Sequence, residues 1–186
     1  MLLRLHRQAG FTLTELITTM AVVGISLSIA VPSFQTVVNN NRRATAVNQL
    51  SSSLHIARSE AITRNVQVTI CQSADGDACD GTAWEDGWIY FTDLDQDRVL
   101  DAAEQLLGGI PARPTLDIDS DQFASFFVYR PNGRIMVNTP AENSGQLTFC
   151  DSRGAEHARV LIINTSGYPR LSKYQMGGAD PVCPAA

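Results

Sequence analysis

Between Phe11 and Val38 the chain carries a single charged side chain, Glu15, in a run that is otherwise apolar or small and polar. As a helix rising 1.5 Å per residue, this run measures about 40 Å, against roughly 30 Å for the hydrocarbon core of a bilayer. It is therefore expected to cross a membrane. Arg4, His6 and Arg7 precede it, which keeps the N-terminus on the cytoplasmic side and puts everything after Val38 on the other. The run is too long for the apolar region of a secretory signal, and no A-x-A-type cleavage site follows it. Glu15 is the anomaly. A carboxylate at that depth costs about 2.5–3.5 kcal/mol on insertion scales, so its presence calls for a partner.

Polar residues take over at Asn39-Asn40-Asn41-Arg42-Arg43. Beyond them Val47, Leu50, Leu54, Ala57 and Ala61 recur at helical spacing and form one apolar face, with Arg58, Glu60 and Arg64 away from it. One long helix from about Thr12 to Arg64 is expected, lipid-facing first and amphipathic later. Its second half should pack on a sheet.

The signals after Arg64 are those of strands. Val66–Cys71 alternates with period two, Gly87–Asp93 is rich in aromatics, and Ser125–Val137 reads as a hairpin turning at Pro131-Asn132-Gly133. Gln146–Asp151 and Ala158–Asn164 read as two more strands, and the stretch beginning at Ser166 as a last one. Strands following one long helix imply an α+β fold with an antiparallel sheet.

Four cysteines stand at 71, 79, 150 and 183, none in a C-x-x-C pair, so a zinc ribbon or thioredoxin-type site is not expected. An even count beyond a membrane segment suggests two disulfides in an oxidising compartment. Three connectivities are open. Cys71–Cys79 and Cys150–Cys183 are favoured because each closes a local loop, contributing about 2.5–4 kcal/mol in the chain-entropy account. Four free buried thiols are the alternative.

The N-terminal stretch GFTLTELITTMAVVGISLSIAVP, with Gly10, Phe11 and Glu15 ahead of an apolar helix, resembles the signal of type IV pilins and type II secretion pseudopilins. Further on, ARSEAITRNVQVTIC, WEDGWIYFTDLDQDRVLDAAEQLL, YRPNGR and LTFCDSRGAEHARVLIINTSG resemble the GspH/FimT branch of that superfamily, so the likeness covers nearly the whole chain. The resemblance implies a pilin-like fold, one long helix packed on an antiparallel head. It implies a leader, residues 1–10, removed after Gly10 by a prepilin peptidase that also methylates Phe11. Residues 11–38 would then form the transmembrane and assembly helix, and residues 39–186 a periplasmic head that includes the amphipathic half of the helix. The protein would sit in the inner membrane and pass into a pilus or pseudopilus, with other minor and major pilins or pseudopilins as partners. In this family the residue at Glu15 pairs with the N-terminal ammonium of a neighbouring subunit, and Pro32 marks a place where the helix often kinks or melts. The role implied is a FimT/FimU-like minor pilin that helps initiate a pilus. An H-type pseudopilin of type II secretion and a DNA-binding minor pilin for natural transformation are the alternatives.

Catalytic signatures are missing: there is no G-x-S-x-G, H-E-x-x-H, phosphate loop or dinucleotide fingerprint, and no enzyme is expected. A net charge of −5 disfavours a protein that coats nucleic acid through overall charge. Some FimT-like pilins resemble DNA receptors whose contacts come from a G-R-x-R motif. Here Gly167-Tyr168-Pro169-Arg170 lacks its first arginine, leaving Arg153, Arg159, Arg170 and Lys173 as candidate phosphate contacts. The acidic stretch Asp93, Asp95, Asp97, Asp101 and Glu104 falls at positions 1, 3, 5, 9 and 12 of an EF-hand-like loop, with Val99 offering a carbonyl, so calcium is the only cofactor suggested. Arg98 stands where such a loop wants glycine, and a solvated acidic turn accounts for the same residues.

Overall fold

The computed structural model describes residues 11–113, 115–137 and 143–184. The chain falls into two units, Met1–Asn41 and Arg42–Ala186. In the first, the described residues belong almost entirely to the opening of helix α1 (Leu13–Arg64), a 52-residue helix. Thr12 begins it. Its Oγ1 accepts from the Glu15 backbone N–H at 3.3 Å, satisfying one of the donors a helix start leaves open. The helix continues unbroken through Pro32, so the melting that the family resemblance suggested there is not seen.

The second unit is built on the later part of α1, whose buried residues are Arg43, Ala46, Val47, Leu50, Ser53, Leu54, Ala57 and Ala61. These recur every three or four residues, the spacing that puts them on one face. Against that face lie two antiparallel sheets instead of the single sheet expected. The larger has the order β3-β2-β1-β5-β6, formed by β1 (Gln67–Gln72), β2 (Gly87–Asp93), β3 (Leu106–Pro111), β5 (Phe126–Tyr129) and β6 (Ile135–Met136). The smaller has the order β4-β7-β8-β9, formed by β4 (Asp117–Asp119), β7 (Gly145–Cys150), β8 (Arg159–Ile163) and β9 (Pro169–Ser172).

Alternation sorts each strand between two environments. Val68 and Ile70 of β1, Trp88 and Tyr90 of β2, and Phe127 and Tyr129 of β5 join the helix face and Leu147, Phe149, Leu161 and Ile163 of the second sheet in one core. The intervening residues Cys71, Ile89 and Phe91 form a small cluster of their own, with Cys79, Leu100 and Phe126 packed on it. Two buried indoles have their N–H groups satisfied: Trp84 donates to the Phe123 carbonyl at 2.7 Å and Trp88 to Ser53 Oγ at 3.1 Å.

Two turns interlock at one end of this core. Gly133 and Gly167 both have positive φ, 74° and 77°, and a Cβ on Gly167 would lie 2.1 Å from the Gly133 carbonyl oxygen. Glycine is required there by conformation and by space. The buried Tyr129 hydroxyl donates to the Gly167 carbonyl at 2.8 Å, and burial pushes this phenol well above its ordinary value.

Candidate functional site

The N-terminal end of α1 is the first candidate. Every residue from Phe11 to Val37 is exposed, including Phe11, Leu13, Leu16, Ile17, Met20 and Phe34. The helix is long and apolar enough to cross a membrane. Glu15 lies in the first turn, where the positive end of the helix dipole favours a carboxylate. Gly10, the expected cleavage point, lies outside the described residues.

The acidic stretch forms the connection between β2 and β3. Asp93 closes β2 and is 1% exposed, while Asp95 and Asp97 are exposed. One oxygen from each of these three lies within 4.8 Å of the others. Glu104 folds back on the start of the loop, its Oε1 accepting from the Leu94 N–H at 2.6 Å. Burial foremost, and then the neighbouring Asp93 and Asp101 carboxylates, push the Glu104 carboxyl above its ordinary value. Asp101 turns to its own backbone, accepting from the Ala103 N–H at 2.7 Å. Val99 donates its N–H to Asp97 Oδ1 at 2.8 Å. Gln96 and Arg98 take positive φ values of 70° and 67°.

The four basic residues stand among acidic neighbours. Arg153 is held against Asp151, Nη2 to Oδ2 at 2.6 Å. Arg159 gives Nη1 to the Ala158 carbonyl at 2.7 Å, and with Lys173 it lines a cavity of about 470 Å³ that Glu156 and Asp180 also line, balancing the charge. Arg170 is exposed on β9 opposite Ile162.

Arg153 belongs to a partly buried trio that the sequence pattern missed. The Asp151 side chain, 3% exposed, also accepts from Arg43 Nη1 at 3.2 Å. A signal was present: Arg43 stands four residues before Val47, on the apolar stripe of α1. The bond to Arg153 foremost holds the Asp151 carboxyl below its ordinary value, with burial opposing and the charges of Arg153 and Arg43 helping.

Both disulfides close loops. Cys71–Cys79 spans 8 residues and Cys150–Cys183 spans 33, with Cα separations of 5.5 and 5.8 Å.

Comparison with known proteins completes this picture. Residues 46–167 match the family described as Type II transport protein GspH, and residues 5–31 match the Prokaryotic N-terminal methylation motif. The type IV minor pilin FimU of Pseudomonas aeruginosa strain PAO1 has a similar structure: TM-score 0.54 at 20% identity, covering 72% of this chain and 90% of that one. The minor pseudopilin EpsH of the Vibrio cholerae Type 2 Secretion System gives a TM-score of 0.48 at 10% identity, covering 70% of this chain and 96% of that one. No curated protein matches. The family match spans well over half the chain and includes the later part of α1 and, among the described residues, eight of nine strands in full, so this chain is a member of the GspH family within the type IV pilin and pseudopilin superfamily.

Proposed function

We propose that the chain is a minor subunit of a type IV pilus, FimT/FimU-like in role, which joins other minor pilins in initiating the filament and acts structurally instead of catalytically. The observation that carries this reading is the opening of α1: a match to the methylation motif over residues 5–31 coincides with an apolar helix that buries none of its side chains from Phe11 to Val37. So much bare apolar surface on a lone chain needs another apolar medium. In this reading the medium is the inner membrane before assembly and neighbouring helices after it. Prepilin peptidase cuts after Gly10 and Phe11 becomes the methylated N-terminus. The segment 11–38 holds the membrane while residues 39–186 form the periplasmic head. The Glu15 carboxylate then pairs with the terminal ammonium of the adjoining subunit, which offsets its cost in lipid and sets the axial register.

The family's description as Type II transport protein GspH is the reason for a second reading, an H-type pseudopilin of a type II secretion system. An in-frame deletion separates the two. The first reading expects surface pili to fall sharply, the protein to appear in the sheared pilus fraction of the parent strain, and protein export to be unchanged. Lost export with normal pili would establish the second. Normal pili and normal export together would sink both.

A further inference from the structure

Asp93 is the one carboxylate of the acidic loop that solvent does not reach. It lies on the face of the larger sheet that carries Cys71, Ile89 and Phe91, at 1% exposure. Its Oδ2 accepts from the Thr69 hydroxyl at 2.5 Å. Among the described residues its Oδ1 has no hydrogen-bond partner. A buried carboxylate oxygen without a donor is costly and rare in native proteins, and it calls for a ligand. What stands beside it is more negative charge. Asp95 and Asp97 bring oxygens within 4.8 Å of it and of each other, and Glu104 folds back to the residue after Asp93, its Oε1 accepting from the Leu94 N–H at 2.6 Å.

Among the described residues Arg98, the cation nearest in sequence, makes no salt bridge. The Arg98 guanidinium lies over the Phe126 ring, 4.5 Å from its centroid. Arg98 does meet the backbone demand of its position, taking the positive φ that an EF-hand-like loop ordinarily obtains from glycine. The local fold thus accepts the cost of an arginine in a left-handed conformation, and the positive charge is directed onto an aromatic ring.

We propose that the β2–β3 loop binds one calcium ion through carboxylate oxygens of Asp93, Asp95, Asp97 and Glu104 and the carbonyl of Val99. An all-oxygen donor set suits a hard cation. Five side chains and carbonyls on one irregular loop suit calcium, which accepts six to eight oxygens in flexible geometry, better than magnesium, which demands an octahedron and gives up water reluctantly. Asp101, at the position that often acts through water, is the outer member. The site does not depend on which filament the chain joins. Its effect would be to fix the β2–β3 connection on the outer face of the sheet.

The test uses the full-length protein in detergent micelles, stripped with chelator and titrated with calcium chloride, with calorimetry and thermal melting as readouts. The affinity expected is that of extracellular modules, a Kd on the order of 10⁻⁴ to 10⁻³ M. At a roughly twenty-fold excess over Kd the melting temperature should rise by about 4–7 °C. Asp93→Asn risks the fold itself, so the decisive variant is Asp95→Asn with Asp97→Asn, both on the surface. It should melt in chelator at or above the parent's temperature, because repulsion is relieved, and it should show neither heat nor shift with calcium. Three results would overturn the proposal: a parent whose melting stays flat from chelator to 10⁻² M calcium, a double variant that keeps the full calcium shift, or an equal shift with magnesium at matched concentration.

Discussion

The guanidinium of Arg58 sits 4.0 Å above the centroid of the Tyr168 ring while its Nε donates to the Gly133 carbonyl at 3.0 Å. One side chain of α1 thereby holds both interlocked turns, the Gly133 turn by hydrogen bond and the Gly167 turn through its neighbour. The sequence pattern placed Arg58 away from the buried stripe. The long stem lets it lie across the stripe's edge, where it is half-buried. Tyr168 also occupies the place where a G-R-x-R motif would carry its first arginine. An arginine there would bring a second guanidinium against the first.

Arg58→Ala should therefore lower stability by about 1.5–3 kcal/mol, through a lost charged hydrogen bond and a lost stacking contact. Arg58→Lys keeps the charge without the planar fork and should cost about 0.5–1 kcal/mol. A double-mutant cycle with Tyr168→Ala, read by denaturant unfolding, should return a coupling of about 0.5–1 kcal/mol.

The Asp151 trio makes a pH prediction. The Asp151 carboxyl is lowered in the folded state, chiefly by its bond to Arg153. Its contribution is therefore complete above the unfolded value near 3.9, and disappears as the pH falls through the folded value beneath it. Asp151→Asn should cost about 3–5 kcal/mol at pH 7, because Arg43 and Arg153 lose the charge between them. Urea unfolding of parent and variant, followed through the buried Trp84 and Trp88, should show this gap constant from pH 7 to 5 and closing below about pH 4. A gap that stays constant to pH 2.5 would mean that the pair contributes nothing through its charge.

Removing the two disulfides should have unequal effects. On loop length alone, Cys150–Cys183 is worth about 4 kcal/mol and Cys71–Cys79 about 2.5 kcal/mol. Cys150→Ala with Cys183→Ala should therefore lower the melting temperature more than Cys71→Ala with Cys79→Ala. Equal losses would show that strain or packing, not loop closure, sets their value.

Processing and assembly should separate genetically. Gly10→Val should leave the leader attached, whereas N-terminal sequencing of the parent should begin at methylated Phe11. Glu15→Ala leaves the cut intact, eases insertion by about 2.5–3.5 kcal/mol on insertion scales, and should deplete the protein from sheared filaments several-fold. Equal recovery of Glu15→Ala and parent in that fraction would remove Glu15 from assembly.

The helix and most strands could be read from periodicity because their burial is regular. Gly87–Asp93 alternates between two apolar environments, so its boundaries emerge from composition alone. Leu106–Pro111 did not announce itself. Two of its six residues are glycines, and it is a strand because it pairs with β2, with Tyr90 lying across Gly108. Asp117–Asp119 is equally obscure, a three-residue strand in which two of the residues are acids. Without those two, the division into two sheets was out of reach. The acidic loop was visible as a spacing, but whether Arg98 faced the carboxylates was a tertiary matter, decided by Phe126. For the basic residues of the C-terminal region, the acidic neighbours were the part that spacing did not reveal. Their count suggested a patch, and the structure adds Asp151 beside Arg153 and Glu156 and Asp180 on the cavity of Arg159 and Lys173.

The order of the strands has a consequence for aggregation. The larger sheet ends in β3 and β6, the smaller in β4 and β9. Of these margins β6 is two residues long and β4 three, β9 starts with Pro169, and β3 contains paired glycines and ends at Pro111. Short, proline-marked and glycine-weakened margins are poor templates for a stranger's backbone. Two such heads meeting edge to edge are thus left with little means of stacking by cross-β growth. The amyloid route is discouraged by the same connectivity that shapes the head.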